Sequence, residues 1–173
     1  MKRTADCGSL GKKDAGKTVI LNGWIHRKRD HGGLTFLDLR DRSGLTQAVI
    51  DERASPELAA LAGELRNEYC IAAEGTVRLR PEGMINPDRP TGEIEVLIDK
   101  IVILNRSEVL PFPIDEARNV KEELRLKYRY LDLRSPEMQY KIRLRSEVSF
   151  AVREWLTARG FCEIETPTFI KST

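Results

Sequence analysis

The alternation of hydrophobic and polar residues divides the first hundred residues into five predicted strands and one helix. β-Branched and aromatic residues are enriched in the strand segments, and turns that contain glycine separate the first three of them. The predicted strands are 17–29, 34–40, 45–50, 70–80 and 93–98, the last of which can continue through 104. The first three strands therefore form a plausible series of hairpins.

A short helix is predicted between the third and fourth strands. Ser55 is a favourable N-cap, Pro56 suits the first helical position, and Glu57 places an acid in the first turn. Leucines follow at helical spacing, so the predicted helix covers 55–66. Three strands, a helix and two more strands are the order of an OB-fold, a five-stranded barrel that commonly binds oligonucleotides on one face. OB-folds also bind sugars and proteins, so the fold does not decide the function.

The remainder of the chain is predicted to be mainly helical. Residues 105–120 contain the Pro111-Phe112-Pro113 sequence and are interpreted as a linker, and 122–133 is interpreted as a short helix. Ser135 and Pro136 begin a longer amphipathic helix that Gly160 ends, with a short strand expected after it. The predicted domain divisions are an OB-fold at 1–104, a hinge at 105–134, and the start of a further domain at 135–173.

Composition and charge are those of a folded protein and not of a disordered tail. Charged residues make up 32% of the chain and hydrophobic residues 40%. The net charge of +2 does not by itself indicate a nucleic-acid-binding protein, but basic residues cluster locally at 26–29 and 78–80. No apolar run approaches the roughly 20 residues of a membrane span. The three cysteines have no paired spacing, so neither a zinc site nor a disulfide framework is predicted.

Several short motifs give a more specific indication because they occur together and in order. These motifs are Gly23-Trp24, Arg27-Lys28-Arg29-Asp30, Phe36-Leu37-Asp38-Leu39-Arg40-Asp41, Gly75-Thr76-Val77-Arg78, Thr91-Gly92-Glu93-Ile94-Glu95-Val96 and Leu126-Lys127-Tyr128-Arg129-Tyr130-Leu131-Asp132-Leu133-Arg134. Taken together they resemble the bacterial aspartyl-tRNA synthetases over essentially the whole chain. Lysyl and asparaginyl enzymes share the architecture and some of the motifs.

The last fifteen residues resemble motif 1 of the class II aminoacyl-tRNA synthetases. In that class motif 1 is a helix–strand unit at the dimer interface, and Pro167 matches its proline. The resemblance therefore implies that 135–173 begins a class II α/β catalytic domain. Motifs 2 and 3, which carry the chemistry in this class, are not in the sequence, so no catalytic residue is assigned and these 173 residues alone are expected to be inactive.

The resemblance also assigns residues of the barrel to anticodon binding. Phe36 is implied to stack a base, although a place in the barrel core is the alternative from sequence alone. Gln47 is implied to read the middle uridine of the anticodon, with a solvent-facing strand position as its alternative. Arg29 and Arg78 would hold phosphates or base edges, with ordinary surface charge as the alternative.

A carboxylate is a poor partner for a polyanion unless it accepts hydrogen bonds from a base. Glu95 is implied to accept such bonds from guanine N1–H and N2–H at the first anticodon position. The alternative is an exposed strand position, and Glu93 is its obvious competitor.

The implied parent enzyme is a cytoplasmic, homodimeric ligase that uses ATP and magnesium to form aspartyl-adenylate and passes aspartate to tRNA-Asp. No cofactor or metal ligand is assigned within the chain itself. His31 and the loop at Gly83-Met84 resemble the type that also charges tRNA-Asn, and strict and relaxed specificity both stay open. A free-standing OB-fold RNA-binding protein with a dimerising tail is the alternative function.

Overall fold

The computed structural model describes residues 1–167, which divide into two compact units, Met1–Glu108 and the unit that begins at Val109. The first unit is a closed five-stranded barrel with one helix, as the order of elements predicted. Its elements are a 3₁₀ turn (Lys12–Asp14), β1 (Thr18–His31), β2 (Leu34–Arg40), β3 (Leu45–Asp51), α1 (Pro56–Glu64), β4 (Cys70–Leu79) and β5 (Ile94–Asn105).

The barrel closes in the strand order β1-β2-β3-β5-β4. All neighbouring strands are antiparallel except β3 and β5, which pair in parallel through Ala48 with Val96 and Val49 with Leu97. This parallel contact completes the barrel, and closure removes the free edges that an open sheet would leave.

Local sequence accounts for several features of the barrel. Gly32 and Gly33 both have positive φ, 60° and 79°, as a two-residue hairpin turn between right-twisted strands requires. The Ser55 hydroxyl accepts a hydrogen bond from the backbone N–H of Leu58 and begins α1 as predicted. The fifth strand is one continuous element, with an irregularity in its pairing where β4 passes Glu74 and Gly75.

The barrel interior is filled by aliphatic side chains that alternate along the strands. Leu37 and Leu39 of β2 are fully buried there, and Ala62 of α1 packs against the same cluster. Residues that precede and follow these inward positions must face outward, because the side chains of a strand alternate with period two. The residues at the intervening strand positions therefore make up the outer face of the barrel.

The second unit is helical. Its elements are a 3₁₀ turn (Ile114–Asn119), α2 (Glu122–Lys127), α3 (Arg129–Asp132) and α4 (Pro136–Thr157). The single helix predicted over 122–133 is thus interrupted at Tyr128, whose ψ of 48° is not helical. Asp132 is fully buried and accepts hydrogen bonds from Arg125 and Arg129, which ties α2 to α3.

Helix α4 follows the sequence prediction at both ends. The Ser135 hydroxyl caps its first turn, and a Schellman motif at Gly160, with φ of 83°, ends it through the bond from Phe161 N–H to the Leu156 carbonyl. None of its residues is buried. The strand predicted after the helix is wrong for residues 161–167, which have no regular structure. A strand needs a partner, and the described part of this unit contains none.

Candidate nucleic-acid interface

A line of polar side chains crosses the outer face of the barrel and takes one residue from each of the five strands. We call it the cross-strand row. Its members, in strand order, are Arg29 (β1), Asp38 (β2), Gln47 (β3), Glu95 (β5) and Arg78 (β4). The pairing of Asp38 with Gln47 and of Arg78 with Glu95 brings these positions level with each other. Asp38, Gln47, Glu95 and Arg78 each lie next to an inward residue and therefore face outward. Arg29 pairs across the sheet with Phe36, which precedes the inward Leu37, and so shares the outer face.

Hydrogen bonds connect the row from one side to the other. Nη2 of Arg29 donates to Oδ1 of Asp38 at 3.1 Å and to Oε1 of Gln47 at 3.4 Å. Nε2 of Gln47 donates to Oε2 of Glu95 at 2.8 Å, and Nε of Arg78 donates to Oε1 of the same carboxylate at 2.8 Å. The row is therefore a continuous network, which orders its side chains before any ligand arrives.

The neighbours of Gln47 determine the orientation of its amide. Glu95 can only accept hydrogen bonds when ionised and Arg29 can only donate, so Nε2 must face Glu95 and Oε1 must face Arg29. After these contacts the amide retains one N–H and one lone pair. Gln47 therefore keeps one donor and one acceptor, which are the groups that a base edge can use.

Burial differs sharply between the acids and the bases of the row. The Asp38 and Glu95 side chains are 1% and 7% exposed, whereas those of Arg29 and Arg78 are 49% and 45% exposed. The carboxylates thus form the floor of the row while the guanidinium groups reach into solvent. A polyanion that approaches this face meets positive charge first, and only groups that fit between the arginines reach the carboxylates.

Phe36 lies on the same outer face, beside the row. It pairs with Arg29 across β1 and β2, precedes Asp38 by two positions, and is half-buried. Leu37, its neighbour, points into the barrel and is fully buried. Phe36 is not a member of the core cluster, so the alternative of a core phenylalanine, open from sequence alone, does not describe its position.

Asp38 is the member of the row that the sequence analysis did not single out. Besides Arg29 it binds Arg89, whose Nη1 and Nη2 donate to its two oxygens at 2.8 and 2.9 Å. Burial raises the pKa of Asp38, but the hydrogen bonds and charge of Arg89 and the charge of Arg29 outweigh burial and hold the pKa below its ordinary value. The only signal in the sequence was an acid at the centre of an otherwise apolar strand segment, between Leu37 and Leu39.

Arg89 belongs to the loop 80–93, which connects β4 to β5. The guanidinium of Arg80 donates to the Ile94 and Met84 carbonyls at the base of this loop, and burial lowers the pKa of Arg80. Met84 is well exposed and Gly83 has a positive φ of 86°. His31, the other residue tied by resemblance to specificity, is exposed at the end of β1, two residues beyond Arg29.

Glu93 is placed differently from Glu95. It forms an ion pair with Lys12 at 2.8 Å, and its side chain is 46% exposed. Residues two positions apart in a strand point to the same face, so alternation along the sequence could not distinguish Glu93 from Glu95. Their partners do, since only Glu95 joins the row.

The remaining predicted positions lie in the second unit. Pro167 is the last described residue and is exposed. Val148, Val152 and Trp155 of α4 are also exposed, as is Phe161 beyond the end of this helix. Among residues 1–167 no group of three or more His, Cys, Asp or Glu side chains could hold a metal ion. No described helix is both long and apolar enough to cross a membrane.

Comparison with known protein families divides the chain much as the structure does. Residues 19–104 match the family described as OB-fold nucleic acid binding domain, and residues 121–173 match the class II tRNA synthetases (D, K and N). The first match covers the whole cross-strand row.

Individual relatives match over nearly the full chain. The chain is 66% identical over 173 residues to aspartate–tRNA(Asp/Asn) ligase of Treponema denticola and 55% identical to the enzyme of the same name from Moorella thermoacetica. In each case all of the chain is covered, but the chain spans 29% of the length of these relatives.

A solved structure matches as well. The asparaginyl-tRNA synthetase from Pyrococcus horikoshii complexed with asparaginyl-adenylate has a TM-score of 0.79 at 29% identity, over 96% of this chain and 37% of its own. Matches that continue through 121–173 favour the synthetase interpretation over a free-standing RNA-binding barrel.

Proposed function

The chain belongs to the class II tRNA synthetases of the D, K and N group, and from that premise we propose that its barrel binds the anticodon of tRNA-Asp. The observation that carries this proposal is the cross-strand row with Phe36 beside it. Single-stranded RNA is bound by faces that combine an aromatic stacking surface with polar groups able to contact base edges and positive charge able to contact phosphates. The outer face of the barrel has all three.

Phe36 and four members of the row have roles in this proposal that their positions and free hydrogen-bonding groups permit. Phe36 stacks a base of the anticodon, and Gln47 uses its remaining N–H and lone pair on the edge of the middle uridine. Arg29 and Arg78, each half exposed, hold phosphates or base edges. Glu95 accepts from N1–H and N2–H of the first-position guanine through the lone pairs that Arg78 and Gln47 leave free.

The activity of the whole enzyme is part of the same proposal. It would form aspartyl-adenylate from aspartate and ATP, with magnesium, and transfer aspartate to tRNA-Asp in the cytoplasm. The names of the relatives support aspartate as the amino acid, and the asparaginyl-adenylate in the Pyrococcus structure supports adenylate chemistry for this group of enzymes. Charging of tRNA-Asn is proposed as well, on the relatives' names and on His31 and Gly83-Met84. We also propose a homodimer through the segment that contains Pro167.

Binding of anticodon stem-loops tests the role of the barrel. The 173-residue chain is titrated with the tRNA-Asp stem-loop and with one whose middle uridine is replaced by cytidine, at several salt concentrations. We expect the tRNA-Asp stem-loop to bind more tightly than the altered one. We also expect the logarithm of the binding constant to fall linearly with the logarithm of the salt concentration, with a slope of about −0.7 for each phosphate contacted. Equal affinity for the two stem-loops at every salt concentration would contradict the proposal.

A further inference from the structure

The Asp38–Arg89 pair joins the loop 80–93 to the outer face of the barrel. The two residues lie 51 positions apart, and the guanidinium binds both carboxylate oxygens. A bidentate pair of this kind restrains distance and orientation together, which a single hydrogen bond does not. Because the Asp38 side chain is 1% exposed, water competes little for its oxygens.

The rest of the loop is folded so that Arg89 is presented to Asp38. The backbone N–H of Asn86 donates to the Gly92 carbonyl, and that of Gly92 donates to the Arg89 carbonyl. A Cβ at Gly92 would lie 1.8 Å from the Asn86 carbonyl oxygen, so this turn closes only with glycine at that position. The Thr91 hydroxyl ties the end of the loop to the Leu45 carbonyl at the start of β3.

Asp38 connects this loop to the members of the row that would contact RNA. It accepts from Arg89 on one side and from Arg29 on the other, and the same Nη2 of Arg29 contacts Gln47. The loop begins two residues after Arg78 and ends two residues before Glu95. A shift of Arg89 would therefore displace side chains at both ends of the row, Arg29 and Arg78.

We propose that Asp38 and Arg89 are positioning residues for anticodon recognition. Their pair holds the loop 80–93 against the row and so sets the selectivity for the base that Glu95 and Arg78 face. This inference rests on the proposed function, under which that base is the guanine of the first anticodon position. Neither residue needs to touch the RNA for the pair to act.

Arg89→Lys and Arg89→Gln test the role of the pair. Lysine retains the charge but not the bidentate geometry, whereas glutamine loses both. The measured quantities are the affinities for tRNA-Asp stem-loops with guanine or adenine at the first anticodon position, and the hydrogen exchange of the Asn86 and Gly92 amides. Both variants should lower the guanine-to-adenine preference by about threefold or more and speed up exchange in the loop.

Arg106→Lys and Arg106→Gln are the matched controls, because Arg106 pairs with Glu64 in an exposed ion pair of the same barrel. They should leave the preference and the loop exchange unchanged. Arg89→Lys also protects the test against misfolding, since Asp38 keeps a cationic neighbour, and its melting temperature is compared with that of the unsubstituted chain.

Three results would overturn the inference. If Arg89→Gln weakens both stem-loops equally and changes the salt slope by about one contact while Arg89→Lys does neither, Arg89 binds a phosphate directly. If the preference is unchanged although the loop exchanges faster, the pair is merely structural. If hydrogen exchange of the loop amides is unchanged, the pair does not hold the loop, whatever the stem-loop affinities are. A chain without any first-base preference refutes the proposed role of Glu95 instead, and the exchange data report separately on the pair.

Discussion

Gln47 and Glu95 are hydrogen-bonded at 2.8 Å although they lie 48 positions apart, because β3 and β5 are the two strands whose parallel pairing closes the barrel. The contact joins the two halves of the cross-strand row. It also uses one of the two amide N–H groups of Gln47 and one carboxylate oxygen of Glu95. Under the proposed function, RNA would bind here to a network that already exists, which would reduce the ordering cost of binding.

Phe36→Ala should weaken binding of the tRNA-Asp stem-loop by about 1–3 kcal/mol, the usual contribution of one stacked base. The barrel should still melt cooperatively, because Phe36 lies outside the core cluster. Leu37→Ala is the matched control at the neighbouring, fully buried position, and it should cost about 2–5 kcal/mol of stability. Stem-loop titration and circular-dichroism melting measure the two effects. Loss of the cooperative melt in Phe36→Ala would assign this side chain to the core.

Glu95→Gln should reduce the preference for guanine over adenine at the first anticodon position by about 1–3 kcal/mol, since a neutral amide presents one acceptor where the carboxylate presents two. Glu93→Gln provides the control, because Glu93 pairs with Lys12 away from the row. Competition titrations with the two stem-loops give the preference directly. A loss of preference in Glu93→Gln with none in Glu95→Gln would exchange the roles of the two acids.

The stability of the barrel should depend on Asp38 at low pH. The folded-state pKa of Asp38 is lowered from its ordinary value of 3.8. A lowered pKa gives stability that is fully present above the ordinary value and is lost as the pH falls through the folded-state pKa. Below about pH 4 the unfolding free energy of the unsubstituted chain should decrease as the pH falls. In Asp38→Asn this decrease should be smaller, by up to about 1.4 kcal/mol per pH unit.

Denaturant titrations at a series of pH values measure this slope. Asp51→Asn is the control, since the Asp51 carboxylate is partly exposed and pairs with an exposed Arg53. An equal pH slope in Asp38→Asn and in the unsubstituted chain would show that the Asp38 pair contributes nothing to acid stability.

The 173 residues should not activate aspartate by themselves. By resemblance, the groups that position ATP and stabilise charge in the transition state belong to motifs 2 and 3, which this sequence does not contain. Aspartate-dependent ATP–pyrophosphate exchange should stay at background in a sample that binds the tRNA-Asp stem-loop. Exchange clearly above background in that sample would refute the assignment of the chemistry.

Hydrogen exchange should separate the two units into different tiers of stability. The closed barrel has a continuous aliphatic core, whereas α4 has no buried residue and exposes Val148, Val152 and Trp155. Amides of the barrel strands should therefore exchange slowly. Amides of α4 should exchange quickly in the monomer and slowly only if the chain self-associates through this helix. The measurement requires a dilute sample of verified mass. Uniformly slow exchange through α4 in a monomer would contradict this expectation.

Features that depend on neighbours in the sequence were predictable. The Gly32–Gly33 turn, the Ser55 and Ser135 caps and the stop at Gly160 all follow from backbone rules that operate over a few residues. The order of strands and helix was sufficient to indicate the barrel. The strand predicted over 161–167 was wrong because a strand depends on a partner that local pattern cannot supply.

The elements, the barrel and the resemblance to an anticodon site could all be read from the order of residues along the chain. The face of β2 that carries Phe36, the choice between two nearby acids for the row, and the pairing of Asp38 with Arg89 from 51 positions away became visible only in the folded chain. The cause is the closure of the barrel. It brings β3 and β5 together in parallel and folds the loop 80–93 against β2, and contacts between residues so far apart leave no periodic trace in the chain.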